Sequence, residues 1–157
     1  MISKDLDQAL KYALRLLKYR LRTEAEIALR LRHKNYSPAV IFAAQDKLKE
    51  YGYLDDENFA RIFINSRLER GWGSRRIILS LKKLGVGADC YQKFLPSAPA
   101  ESKSLRALAE RKLKFYQGKK NMYQKLSRFL ANRGFNSGAI AACFEAMGIK
   151  GDFNGEE

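Results

Sequence analysis

Apolar residues in this chain recur every three or four positions, and glycine, asparagine, proline or serine punctuates nearly every gap between the runs. Residues at i, i+3, i+4 and i+7 share one face of a helix, so this spacing is the helical period. No stretch alternates apolar and polar residues over the length of a strand, and the pattern predicts an all-α protein of nine helices. The first helix is expected over about Asp5–Tyr19. Thr23 and Glu26 have the spacing of a capping box and open a second helix, to about His33, after which Asn35 can take the left-handed position. Ser37-Pro38 supplies an N-cap and a first-turn proline for a third helix, which Gly52 ends. Asp55, Asp56 and Glu57 set negative charge against the positive end of a fourth, running to about Arg70. Gly71-Trp72-Gly73 breaks the chain, Ser74 is expected to cap a fifth helix, and Gly85 to stop it. A short sixth helix is expected near Ala88–Leu95, and Pro96-Ser97-Ala98-Pro99 reads as a linker. Helices near Glu101–Gln117, Met122–Arg133 and Ser137–Met147 complete the count, with Gly134 and Gly148 as stops.

The helix stops repeat. Leu31-x-x-x-Asn35-Tyr36, Leu81-x-x-x-Gly85-Val86 and Leu130-x-x-x-Gly134-Phe135 align, with the leucines 50 and then 49 residues apart. Ile27, Ile77 and Leu126 each sit four residues earlier, on the same helical face. A period near 50 built on helices reads as tandem repeats, each burying a face on its neighbour. The expected architecture is three tandem three-helix repeats, over residues 1–53, 54–98 and 99–150, in an elongated curved array with a flexible tail at 151–157.

Composition then narrows the chemistry. The 46% hydrophobic content is enough for a core, so the +13 net charge belongs to a folded protein and not to a solvated coil. The charge is spread as +5, +3 and +5 over residues 1–54, 55–100 and 101–157, which favours a polyanionic partner, nucleic acid foremost. Cys90 and Cys143 are isolated and His33 is the one histidine, so neither a metal-ligand spacing nor a disulfide framework is present. Lone cysteines suggest small core residues in a reducing compartment. The charged start Met1-Ile2-Ser3-Lys4-Asp5 lacks an apolar signal core, and no run is long enough for a membrane span. A soluble, cytoplasmic protein is expected, with no cofactor and no metal.

Most candidate contact residues lie on two predicted helices, the first and the fifth. Lys4, Lys11, Arg15, Lys18 and Arg22 fall on one face of the first helix, spanning about 27 Å at 1.5 Å per residue. That stripe is either a solvated face opposite the core or a contact for an anion. On the fifth helix, Ile77, Leu81 and Leu84 point one way and Arg75, Leu79 and Lys82 the other, with Arg76 and Lys83 on the flank. An outward leucine between cations suits a protein partner that also carries acidic groups or phosphate. Trp72, just before it, is either an interface anchor or packing between repeats. Arg70, and Lys125 and Arg128 on the eighth helix, complete the candidate set. Arg67 continues the buried stripe of Phe59, Ala60, Phe63 and Ile64, where a charge needs partners, so its expected role is structural, bonding a carboxylate or helix-end carbonyls. Asp55 and Asp56 resemble an acid pair but sit where helix caps sit, with no second acidic cluster to make a catalytic or metal site.

The run Gly52-Tyr53-Leu54-Asp55-Asp56-x-x-Phe59-Ala60-x-x-Phe63-Ile64-x-x-Arg67, continued by Gly71-Trp72-Gly73-x-x-Arg76-Ile77-x-x-x-Leu81-x-x-x-Gly85-Val86, resembles the central signature of RecX regulatory proteins. Weaker counterparts are Arg20-x-x-Thr23-x-x-Glu26-Ile27-x-x-Arg30-Leu31 in the first repeat and Arg128-Phe129-Leu130-x-x-Arg133-Gly134-Phe135 in the third. The likeness covers about residues 9–148 and is densest over 52–86; Thr23 stands where the family usually has serine. The resemblance implies tandem three-helix repeats without enzyme activity. It also implies a partner, a RecA-type recombinase filament on single-stranded or duplex DNA, whose ATPase and strand exchange the protein inhibits from the filament groove, as an expected monomer. A reading from the residues alone competes with this: a stand-alone nucleic-acid binder using the fifth helix as a recognition helix. Leu79 in the middle of that face weighs against it, because base readout needs polar side chains.

Overall fold

The structure, a computed structural model, describes residues 2–151, and the positions beyond Gly151 in the expected tail lie outside the described residues. Among those described, nine α-helices and one 3₁₀ turn, Gln92–Phe94, are present, and no strand. The helices are α1 Ile2–Tyr19, α2 Glu24–Arg32, α3 Pro38–Glu50, α4 Asp56–Glu69, α5 Ser74–Lys83, α6 Ala88–Tyr91, α7 Ala98–Tyr116, α8 Met122–Asn132 and α9 Ser137–Ala146. The all-α expectation holds, with most boundaries within two residues.

The chain divides into two compact units. One holds the described residues of Met1–Phe63 with Ser80–Phe94; the other holds those of Ile64–Leu79 with Leu95–Glu157. In the first unit α1, α2 and α3 close around Ala9, Ala13, Ile27, Leu31, Ala44 and Leu48, all fully buried. In the second, α7, α8 and α9 close around Leu105, Leu108, Leu126, Leu130, Ile140 and Phe144. Each leucine, isoleucine or phenylalanine among them contributes about 1.5–3 kcal/mol by leaving water, the main force holding these bundles.

The aligned positions of the repeat behave alike. Ile27, Ile77 and Leu126, and Leu31, Leu81 and Leu130, all have zero exposure. After each leucine the chain turns through a left-handed residue: Asn35 at φ 61°, Gly85 at 77° and Gly134 at 96°. The amide directly after the left-handed residue then donates back into the helix, from Tyr36 to the Leu31 carbonyl at 3.3 Å, Val86 to Leu81 at 3.0 Å and Phe135 to Leu130 at 3.3 Å.

Two of these stops need glycine for a second reason. A Cβ on Gly134 would lie 2.3 Å from the Arg76 Cβ and 2.6 Å from its backbone nitrogen, and one on Gly85 would lie 2.4 Å from the Ala25 Cβ. The stop after α5 thus presses on the start of α2, and the stop after α8 on the start of α5. Asn35 is exposed, and a side chain fits there.

Local capping follows the sequence in part. The Thr23 hydroxyl accepts from the Glu26 amide at 3.1 Å while the Glu26 carboxylate accepts from the Thr23 amide at 3.1 Å, the expected capping box. Thr23 is fully buried, and its hydroxyl also donates to the Leu84 carbonyl at 2.7 Å, joining the ends of α2 and α5. Asp55 caps α4 by accepting from the Asn58 amide at 2.9 Å, and Asp56 caps α2 by accepting from the Glu24 amide at 2.9 Å. Burial raises the Asp56 carboxyl above its ordinary value, against the opposing pull of that amide. Both acids are therefore structural.

Three expectations need correction. Ser74 does not cap α5: its hydroxyl is buried without a hydrogen-bond partner, the Gly73 carbonyl receives the Ile77 amide, and the Ser74 amide donates to the Glu101 carboxylate of α7 at 2.8 Å. The Pro96–Pro99 segment is not all linker, because α7 begins at Ala98 behind the N-cap Ser97 and includes Pro99 in its first turn. Proline is tolerated there because a first-turn N–H has no intrahelical partner to lose. Finally, α1 starts at Ile2, ahead of the expected Asp5.

Candidate partner interface

On α1, Lys4, Lys11, Arg15 and Lys18 are exposed as predicted, but Arg22 leaves the stripe. It lies past the end of α1, mostly covered, with its guanidinium 3.5 Å from the Leu16 carbonyl and 3.9 Å from the Glu26 carboxylate. Lys11 and Arg15 instead join Tyr12, Lys34 and Tyr36 around a shallow groove of about 330 Å³. Arg15 and Lys34 stand over the Tyr12 ring at 5.4 and 5.6 Å from its centroid. Lys34 was missed because it lies in the stop between α2 and α3, which helical periodicity does not reach.

On α5, Leu79 is 54% exposed, and Arg75, Lys82 and Lys83 are exposed along the same helix. Ile77 and Leu81 are fully buried and Leu84 half-buried, so the two faces separate as the sequence predicts. Arg76 has a different setting. Its guanidinium donates to the Asn132 carbonyl at 3.0 Å, at the end of α8, and stands 3.8 Å from the centroid of Trp72. Arg67 stands 4.9 Å from the same ring, half-buried. The half-buried Trp72 indole is therefore brought together with two guanidinium groups of its own unit, contacts suited to the ring's negative face.

Arg70 is exposed, and its carbonyl accepts from the Arg133 guanidinium at 2.9 Å. Arg70 and Arg133 join Arg111, Lys112, Phe115 and Phe129 around a second groove, of about 380 Å³, with Glu69 on the rim and Leu108 behind. Lys125 and Arg128 are exposed on α8 but do not line it. The sequence carries a signal for this groove that helical periodicity passes over: Arg111-Lys112-x-Lys114-Phe115 followed by Lys119-Lys120, basic residues interleaved with an aromatic.

No constellation in these grooves resembles an acyl- or phosphoryl-transfer site. The free cysteines Cys90 and Cys143 are half-buried, and burial first of all pushes both thiols up, away from the nucleophilic thiolate. Among the described residues no group of three or more His, Cys, Asp and Glu could hold a metal ion, and no helix is long and apolar enough to cross a membrane.

The fold and these surfaces define a class: a basic helical protein of small bundles that carries exposed cationic grooves. Comparison with known proteins gives the family. Models for the first, second and third three-helix domains of RecX match residues 9–48, 55–95 and 100–144 in succession, and the chain belongs to the RecX family of regulatory proteins. Its sequence is 33% identical over 134 residues to the regulatory protein RecX of Caldanaerobacter subterraneus, covering 83% of this chain and 66% of that protein. It is 32% identical over 137 residues to that of Halorhodospira halophila, covering 85% and 84%. The chain spans 66% of the length of the Caldanaerobacter and Finegoldia magna relatives. The crystal structure of RecX from Lactobacillus salivarius has the same fold, with a TM-score of 0.80 at 22% identity over 94% of this chain and 99% of that one.

Proposed function

We propose that this chain is a regulator without enzyme activity of its own, which binds a RecA-type recombinase filament on DNA and inhibits its ATPase, recombination and strand exchange. The observation that carries the reading is the succession of three RecX domain matches along one chain. The repeats are taken as residues 1–53, 54–98 and 99–150. The +13 charge supports long-range attraction to a DNA–protein filament, since a protein field of one sign raises encounter rates with an opposite one. Docking is assigned to the exposed side of α5, where Leu79 between Arg75 and Lys82 offers apolar contact ringed by cations. Lys11, Arg15 and Lys18 of α1, with Arg70, Lys83, Lys125 and Arg128, supply further contacts to phosphate or acidic side chains. Trp72 and Arg76 act by holding α5 in place, through their contact with each other and the bond of Arg76 to the Asn132 carbonyl at the end of α8. A monomer bound this way bridges recombinase protomers and obstructs the motions of filament turnover, in the cytoplasm where such filaments form.

The test is ATP hydrolysis by a RecA-type recombinase on preformed single-stranded DNA filaments, titrated with this chain. Hydrolysis is expected to fall to a small residual rate at saturation, while the chain alone hydrolyses neither ATP nor DNA. Hydrolysis that stays at the uninhibited rate across the titration would overturn the reading.

A further inference from the structure

The groove of the second unit shares only Arg70 with the contacts assigned above, and its aromatic rings play no part in them. Its composition is specific. Arg70, Arg111, Lys112 and Arg133 give it four cations against one acid, Glu69. Two aromatic rings lie among them. Phe115 is 59% exposed, on the last turns of α7, a large apolar area to leave in water. Its ring is fixed edge-on by Tyr116, with centroids 5.1 Å apart and planes at 78°. Lys119 stands 3.6 Å from the Phe115 centroid and Lys112 5.4 Å, while Lys112 and Arg133 stand 4.9 and 5.2 Å from that of Phe129.

We infer that this groove is a seat for single-stranded nucleic acid. Cations explain attraction to any polyanion, but they do not explain a held, exposed phenyl ring in their midst. A single strand offers both complements at once: phosphates for the guanidinium and ammonium groups, and a free base face to stack on Phe115. A duplex keeps its base faces inside and cannot use the ring, and a purely acidic chain such as poly-glutamate uses the cations alone. Lys119 covers the ring on a flexible stem; when a base stacks there, its ammonium moves from ring to phosphate, exchanging one favourable contact for a stronger one. Arg133 is anchored by its bond to the Arg70 carbonyl, so this side of the groove is formed before a strand arrives. The inference extends the filament reading by giving the chain its own hold on the strand. It is tested on bare oligonucleotide, so its failure leaves the recombinase reading standing.

The experiment measures fluorescence anisotropy of the full chain with a labelled oligothymidine of about 20 nucleotides, the same backbone carrying abasic sites, and a duplex of equal length. Phe115→Ala is expected to weaken oligothymidine binding about tenfold, the scale of one lost base stack, with duplex affinity changed less than about twofold. Phe115→Tyr should restore binding, and wild type should bind the abasic strand about as weakly as Phe115→Ala binds the intact one. Equal affinity of wild type and Phe115→Ala for oligothymidine overturns the inference, as does equal binding of intact and abasic strands. Poly-glutamate displacing the strand while binding both proteins alike, with the strand itself indifferent to Phe115, assigns the groove to acidic protein instead. If Phe115→Ala fails to fold, the double variant Arg111→Gln/Lys112→Gln decides. Losing two phosphate contacts should flatten the slope of log affinity against log salt by about 1.4 for a single strand, and an unchanged slope overturns the inference.

Discussion

Replacing Gly134 by alanine tests how the repeats fit together, and Gly148 provides the control within the same unit. Both end a helix in the left-handed region, Gly134 at φ 96° and Gly148 at 68°. An alanine in that region costs about 1–2 kcal/mol whatever surrounds it. Around Gly148 a Cβ meets nothing within 4 Å, so Gly148→Ala should cost that and no more. At Gly134 the Cβ would sit 2.3 Å from the Arg76 Cβ and 2.6 Å from the Arg76 nitrogen, so helix backbone must move. Overpacking of this kind adds about 1–3 kcal/mol, which puts Gly134→Ala near 2–5 kcal/mol in all. At about 2–4 °C per kcal/mol for a chain of this size, the expected falls are about 2–8 °C for Gly148→Ala and about 4–20 °C for Gly134→Ala. Thermal unfolding followed by far-ultraviolet circular dichroism reads both. The larger loss should come with a weakened Arg76–Asn132 contact, visible as raised amide exchange at the end of α8. Equal losses in the two variants would refute the close approach of Gly134 to α5.

Two further outcomes follow from the charges. Burial pushes the Glu26 carboxyl up most strongly, but the Arg20 hydrogen bond, the Thr23 amide and the charges of Arg20 and Arg22 together carry it below its ordinary value. A carboxylate lowered on folding stabilises above its unfolded value and loses that stabilisation as pH falls through the folded one. The stability deficit of Glu26→Gln should therefore be largest near neutral pH and shrink as acid protonates Glu26, as measured by urea unfolding at several pH values; a deficit that grows in acid would contradict the capping-box account. Filament affinity should fall steeply with salt, by roughly 10³–10⁵-fold between 50 and 200 mM if about 6–10 cations meet phosphate, and more gently if they meet acidic side chains. An affinity indifferent to salt would leave the +13 charge outside the binding mechanism.

What the sequence made legible was whatever acts within a turn or two of the chain. Thr23 and Glu26 are three apart and cap each other; the leucine-to-stop spacing at Leu31, Leu81 and Leu130 is written in the chain and produces the same hydrogen bond each time. Ser74 was misread because the oxygen at the start of α5 comes from Glu101, 27 residues on, and local spacing cannot see it. Arg22 fits the α1 stripe only if the helix continues, and it ends at Tyr19, after which the side chain turns to Leu16 and Glu26. The basic faces of α1 and α5 were visible as helical periodicity. The two grooves were not, since each takes residues from separate elements: Tyr12 with Lys34, and Arg70 with Phe115 and Phe129. Their distance in sequence is closed by packing.

The central claim is that the exposed side of α5 docks on the recombinase filament while Arg67 serves the fold. The direct measurement pairs thermal unfolding with inhibition of recombinase ATPase on preformed filaments, for two variants. Arg75→Ser, Leu79→Ser and Lys82→Gln together change only exposed positions, each worth less than about 0.5 kcal/mol to stability, so the protein should stay folded. Its apparent inhibitory affinity should fall at least tenfold, about 1.4 kcal/mol. Arg67→Ala removes a half-buried guanidinium from the Trp72 ring and should lower the melting temperature while inhibiting like wild type below that temperature. A triple variant that inhibits like wild type, beside a stably folded Arg67→Ala that does not, would contradict the account and move the binding surface to α4.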